Sequence, residues 1–273
     1  MTSPISTSTD VERAGRLVAG ARRICVLTGA GISTDSGIAD FRGPDGLWTR
    51  NVTAQRFVDF HAYCRDPQLR AQSWQRRAVH PAFGAEPNDA HQALAELHGR
   101  CQLPLVLTQN IDGLHQRAGL PAGAVVELHG TVYETECVSC RQRRSMAEAI
   151  DRVHAGEADP PCVACGGILK SATVFFGQPL DRQVFGAAVA ATKASDLFLV
   201  IGTSLSVQPV AGLVPAAARA GIPIVIVNAQ PTPYDELACV VVREPIGSAL
   251  PAMVAIPVGH PASVSPPATR SGS

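Results

Sequence analysis

The chain has no charge excess of either sign: 23 basic and 23 acidic residues cancel over 273 positions. Proteins that hold nucleic acid or anionic membranes through bulk electrostatics carry a surplus of lysine and arginine, so neither partner is expected. The local clusters Arg76-Arg77 and Arg141, Arg143, Arg144 read as solvated faces. Also missing is any apolar run of the about 18 residues a spanning helix needs, and the Ser/Thr-rich start has neither the basic nor the apolar segment of a secretory signal. The expected location is cytoplasmic. In that reducing setting the eight cysteines are not read as disulfides.

A further shortage lies inside the most informative stretch. The apolar run Ile24 to Leu27 stops at Gly29-Ala30-Gly31 and small polar residues follow, as in a buried strand turning tightly into a helix N-terminus. Backbone N–H groups there lack helix partners and suit a phosphate, but Thr34 holds the third position of G-x-G-x-x-G, and no lone acid ends a second strand about 20 residues on. A plain tight turn is the alternative. The continuation, Gly37 to Gly43 and then Gly46-Leu47-Trp48, places Asp40, Phe41 and Arg42 in a glycine-flanked loop and reads as a lid over a bound ligand.

At 46% hydrophobic content the chain can bury a full core. Residues 1–10 and 257–273, rich in Ser, Thr, Pro and Gly, are expected to be disordered, and 11–256 to fold. Val11–Gly20 reads as an amphipathic helix. Thr53–Val79 carries Phe57, Phe60, Tyr63 and Trp74 at helical spacing, the centre of a small helical layer over about 50–85, and Asn88-Asp89 caps a further helix. Beyond it, apolar runs at Leu103–Thr108, Val125–Leu128, Thr173–Phe176, Leu197–Ile201 and Pro223–Val227, with crossover helices at Arg182–Lys193 and Pro209–Ala220, predict a doubly wound, Rossmann-like parallel α/β sheet. Ligands of such sheets sit beyond the strand C-termini, where Gln109 to Asp112, His129-Gly130, Gly177-Gln178, Gly202-Thr203-Ser204 and Asn228 gather.

Cys137-x-x-Cys140 and Cys162-x-x-Cys165, 21 residues apart, supply four thiolates on two turns, the pattern of a closed tetrahedral zinc site. Four protein ligands leave no open position, so this zinc is structural, and it belongs to a ribbon inserted at about 134–170. Cys25 and Cys239, in apolar stretches, read as small core residues, while Cys64 and Cys101 stand alone. The amides and carboxylate of Gln109, Asn110 and Asp112 suit ribose hydroxyls or a carboxamide, although Asn-x-Asp-Gly is also ordinary turn chemistry. His129 is a lone histidine at a strand tip. Lone histidines are commonly structural, but a neutral imidazole in that crevice can take a proton from a hydroxyl.

Together these motifs, spread from about Arg23 to Val254, make the chain resemble the sirtuins, NAD-dependent protein lysine deacylases, and the Gly43 to Trp48 continuation is similar to bacterial members. The resemblance implies that NAD is held by Gly29, Ala30, Gly31, Ser33, Ile38, Asp40, Phe41, Arg42, Trp48, Gln109, Asn110, Ile111, Asp112, Gly202, Thr203, Ser204 and Asn228. It implies His129 as general base and Asn110 as the second catalytic residue, with Val174, Phe175, Phe176 and Gly177 binding acylated lysine of protein substrates. The implied products are nicotinamide, free lysine and O-acyl-ADP-ribose. Gln178 stands where the family usually has Glu, and the adenine end, around Ala229-Gln230 and Glu244 to Gly247, departs from the family pattern. Sirtuins that prefer succinyl groups resemble one another in a Tyr-x-x-Arg pair, which falls here on Ser73 and Arg76, so uncharged acyl groups are expected to be preferred. Deacylation with other acyl groups, mono-ADP-ribosyl transfer and a non-catalytic NAD sensor remain the alternatives.

Overall fold

Ile24–Thr28 (β1) is buried along its whole length. A strand covered on both faces sends alternate side chains into opposite layers, and here Ile24 and Val26 join one core while Cys25 and Leu27 join the other. The computed structural model describes residues 9–100 and 105–257. After β1 the strands in chain order are β2 (Leu105–Thr108), β3 (Val125–Glu127), β4 (Gly130–Cys137), β5 (Arg143–Ser145), β6 (Leu169–Thr173), β7 (Leu197–Ile201), β8 (Ile224–Val227) and β9 (Val240–Val242).

Six of them form one parallel sheet in the order β3-β2-β1-β7-β8-β9. With the other three set aside, this is the order of a doubly wound dinucleotide-binding sheet. Helices Asp10–Gly20, Asp89–Arg100 and Ile246–Val254 cover one face, and Arg182–Ala194 and Leu213–Arg219 the other. The remaining strands make a small antiparallel sheet, β5-β4-β6. Between the lid and the helix at Asp89 lie a 3-10 turn at Val52–Val58 and helices Phe60–Arg65 and Pro67–Ala78, with Tyr63 and Trp74 fully buried.

Local chemistry sets several boundaries. Thr9 and Glu12 form a capping box, so the first helix begins at Asp10, and Thr9 and Asp10 are ordered where a disordered end was expected. The rest of that tail, 1–8, and the expected tail from 258 to 273 lie outside the described residues, as does Cys101. Asn88 accepts from the N–H groups of Ala90 and His91, as its capping role requires.

Two expectations are corrected, and one strand had none. Thr173–Phe176 is not a strand of the parallel sheet: Thr173 pairs antiparallel with Gly130 of β4, and the chain then leaves toward the helical layer. Thr173 ends β6, and Phe176 makes an isolated bridge to Asp59 in the helical layer. The edge strand β9 went unread because three valines carry no period. Cys239, just before it, is exposed rather than core.

Candidate active site

The switch point of the sheet falls between β1 and β7, whose C-terminal turns are packed against each other. Gly29 N–H donates to Ile201 O at 3.0 Å and Gly31 N–H to Gly202 O at 2.8 Å. A Cβ on Gly29 would stand 2.7 Å from Thr203 Cβ, and one on Gly31 2.8 Å from Gly202 Cα. The two glycines thus let two backbone turns close on each other, and their N–H groups are taken by the neighbouring strand rather than left for an anion. The turn continues as a 3-10 helix, Ala30–Ser36.

Around this turn a cavity of about 1070 Å³ opens, and every residue expected to bind NAD or the acylated peptide lines it, together with His129. At its floor the polar side chains are cross-linked. Ser33 donates to Asp112 at 2.8 Å, and Asn110 Nδ2 donates to Gly29 O at 3.2 Å and Ser33 Oγ at 3.1 Å. Gln109 Nε2 donates to Thr203 Oγ1 at 3.0 Å, tying the end of β2 to the end of β7. Asp112 also accepts from Leu114 N–H at 3.0 Å, so the turn chemistry and the site chemistry of this loop are the same bonds.

His129 Nδ1 lies 3.0 Å from Gln109 O. A carbonyl only accepts, so Nδ1 carries the proton and Nε2 is left with its lone pair. Burial pushes the imidazole pKa below its ordinary value, against the opposing pull of the Gln109 carbonyl. The ring is therefore neutral near pH 7.

Over the mouth, Phe41, Trp48 and Phe176 stack in sequence, with centroids 4.8 and 5.3 Å apart, and Arg42 lies 4.4 Å above the Trp48 ring. Asp40 accepts from Gly43 N–H at 2.9 Å and shapes the lid loop from within. In the segment Val174 to Gly177, Gln178 accepts from Phe175 N–H at 3.1 Å, a bond for which Gln serves as well as Glu. Asn228 and Gln230 line the far end, whereas Glu244 to Gly247 stay outside the cavity. Gly247 packs instead against Asp35, whose carboxylate a Cβ would meet at 2.5 Å.

Some residues in and around the cavity had no motif to announce them. The hydroxyl of Tyr133 on β4 lies 3.0 Å from Ala82 O and 3.1 Å from Asp112 O and shares its one proton between them, clamping the loop after β2, and its ring would be struck by a Cβ on Gly113. Arg76, Arg77 and His80 line the cavity itself. The reading of Arg76-Arg77 as a solvated pair holds for Arg76, which is exposed over the Phe57 ring at 4.1 Å, but Arg77 turns inward.

The four cysteine sulfurs of the small sheet lie within 4.8 Å of one another. Zinc with Zn–S bonds of about 2.3 Å needs sulfurs about 3.8 Å apart, and Cys137–Cys165 at 3.5 Å and Cys140–Cys162 at 3.7 Å fit. Both Cys-x-x-Cys turns end in a left-handed residue, Arg141 and Gly166, and both close with an N–H bond back to the first cysteine's carbonyl. That repeat presents two equivalent knuckles to one metal.

A dinucleotide-type sheet, a switch-point crevice with a neutral histidine, and an inserted four-cysteine ribbon define an NAD-binding class with a structural zinc. Residues 29–209 match the model of the Sir2 family, and the chain belongs to that family. It is 53% identical over 231 residues to NAD-dependent protein deacetylase 2 of Streptomyces coelicolor, covering 85% of this chain and 96% of the relative. It is 38% identical to NAD-dependent protein deacylase 2 of Pyrobaculum aerophilum, covering 87% and 92%. A solved Sir2 structure with a p53 peptide and NAD+ superposes with a TM-score of 0.75 at 34% identity, covering 86% of this chain and 92% of the other. One of Sir2Tm with a propionylated peptide gives 0.76 at 33% identity over the same shares.

Proposed function

We propose that the chain is an NAD-dependent protein lysine deacetylase, with residues 11–256 as the catalytic unit and acylated lysines of proteins as substrates. The observation that carries this is His129: neutral, fixed by Gln109 O at Nδ1, and lining the same cavity as the glycine turn and the segment Val174 to Gly177. The names of the relatives and the peptides in the related structures support it.

When bound, NAD would supply an activated ribose carbon for the acyl oxygen, with nicotinamide as the leaving group. Asn110, whose amide hydrogens are already engaged, offers its carbonyl to the carboxamide, and Asp112 and Ile38 complete that pocket. Gln109, Thr203, Ser204 and Asn228 hold the riboses, while Ala30, Arg42 and the Gly202 turn meet the phosphates. Phe41 and Trp48 exclude water from the reacting centre, with Asp40 shaping their loop. His129 Nε2 takes the proton of a ribose hydroxyl, which makes that oxygen nucleophilic. Val174, Phe175, Phe176 and Gly177 position the peptide. The metal has no part in these steps, because all its positions are filled by Cys137, Cys140, Cys162 and Cys165.

No helix among the described residues is long and apolar enough to cross a membrane. Cys137, Cys140, Cys162 and Cys165 gather as a metal set rather than as disulfides, which suits a reducing setting such as the cytoplasm. His129→Ala tests the reading. Nicotinamide release that depends on an acetyl-lysine peptide should fall about 10²- to 10⁴-fold, while calorimetric NAD binding persists. Near-normal turnover in this variant would remove the general base from the account.

A further inference from the structure

Strand β6 carries a lysine that has almost no contact with water. Lys170 is 1% exposed and stands outside the cavity. Two of the three N–H bonds of its ammonium go to backbone carbonyls of its own strand, Ser171 O at 3.0 Å and Thr173 O at 2.8 Å. Its other neighbours are the Phe175 ring, 5.0 Å from Nζ, and the carboxylate of Glu136 on β4, at 3.8 Å. Burial pushes its pKa down to about 8 while Glu136 pulls it back up, so the group is an ammonium at pH 7.

Stability alone does not call for a charge here, because an apolar side chain of similar volume in place of a buried ion pair is often neutral or better. What the ammonium holds is more telling. The carbonyl of the Thr173–Val174 peptide unit accepts from Lys170, and the N–H of the same unit donates to His129 O at 2.9 Å. This one unit therefore joins the general base to the first residue of the segment Val174 to Gly177. Strand pairing tightens the same join: Thr173 lies opposite Gly130, where a Cβ would fall 2.0 Å from Ala172 O. Two residues on, Phe175 is buried between the ammonium and Tyr63, whose ring meets it edge-on at 5.2 Å. Tyr63 is fixed in turn by its hydroxyl, which donates to Leu169 O at 2.9 Å.

We infer that Lys170 is a positioning residue for the acylated lysine: from outside the cavity it fixes the Thr173–Val174 peptide unit, and through it the placing of the segment Val174 to Gly177 relative to His129. Its role is directed at the peptide and not at NAD, since none of its contacts touches the Gly29 turn or the loops at Gln109 and Gly202. The inference rests on the deacylase reading above.

The full chain is compared with Lys170→Met and Lys170→Arg on one acetyl-lysine peptide. In Lys170→Met, zinc content and calorimetric NAD affinity should match the parent, while kcat/KM for the peptide falls about tenfold to hundredfold. Part of that loss should be a raised peptide KM, which a smaller fraction of folded enzyme does not produce. Lys170→Arg should recover part of it, because a guanidinium also donates to carbonyls. A Lys170→Met chain with parental peptide kinetics, a loss confined to kcat, or an equal loss of NAD affinity overturns the inference. Should Lys170→Met not fold, NMR of the parent decides: the Nζ protons of the buried ammonium, assigned by their absence in Lys170→Arg, should shift on saturation with the peptide. A signal that the peptide leaves in place overturns the link. Nicotinamide release by the parent separates the two failures: a parent that releases none with any acyl peptide removes the deacylase reading and this inference with it, whereas an active parent matched by Lys170→Met removes the inference alone.

Discussion

The parallel sheet and the four-cysteine ribbon both hold one wall of the cavity in place, by unlike means. The sheet does so with quantity: two layers of valine, leucine, isoleucine and alanine enclose β1 and β7 from both faces. The ribbon, from β4 to β6, has a cluster of Trp74, Cys137, Met146, Ala149, Val153, Cys162 and Leu169, and two of those seven are metal ligands while a third is lent by the helical layer. Around 40 residues rarely enclose enough apolar surface to fold alone. The sheet's stability is therefore divided among many small contributions, and the ribbon's is concentrated in one ion.

The largest effect should come from removing that ion. A chelator, or Cys162→Ala, takes away most of a binding free energy on the order of 10 kcal/mol that is also folding free energy. The ribbon should melt first, in a separate transition, and Trp74, buried in the folded chain, should report its exposure by fluorescence. A single cooperative transition with and without zinc would erase the distinction between the two regions.

Acid should act mainly on the sheet side. His91 and His115 are buried against each other, with ring centroids 5.0 Å apart, and burial pushes their pKa values down to about 4 and about 3. Because these folded values lie below the ordinary 6.5, the unfolded chain binds more protons. The stability they contribute is complete above pH 6.5 and is lost as pH falls from there through the folded values, by up to about 1.4 kcal/mol per pH unit for each histidine. Denaturant midpoints measured between pH 7 and 4, with His91→Gln as control, check this. An unchanged slope in that variant would remove the pair from the explanation.

The smallest effect sharpens the comparison from the other end. Thr9→Ala removes one side-chain cap from the first helix, which lies on the sheet, and should cost about 1 kcal/mol with zinc content unaltered. Loss of zinc on this change would show that the two regions do not hold themselves independently.

Composition and spacing made much of this legible. The buried strands β1, β7 and β8 are continuous apolar runs because they are covered twice, and the cysteine pairs are close in sequence because a knuckle is a local structure. Other features were not legible for the same reason in reverse. Val174 to Phe176 looks like a sheet strand, but Thr173 before it pairs with β4 and Phe176 bridges to Asp59, and sequence cannot show which partners a run of apolar residues will find. Gly29 and Gly31 read as a phosphate turn, yet what forbids a side chain there is the backbone of Gly202 and Thr203, more than 170 residues away in the chain. Tyr133 belongs to no motif and still clamps the Asp112 loop.

The sequence by itself determined the sheet's class, the zinc ligands and the polar residues that crowd the strand tips, since each depends on neighbours within a few positions. Only the tertiary structure decided which of His129's nitrogens is free, which of two adjacent arginines turns inward, and which glycines separate backbone from backbone. Those are matters of contact between distant segments, and contact at that range is set by packing rather than by local order.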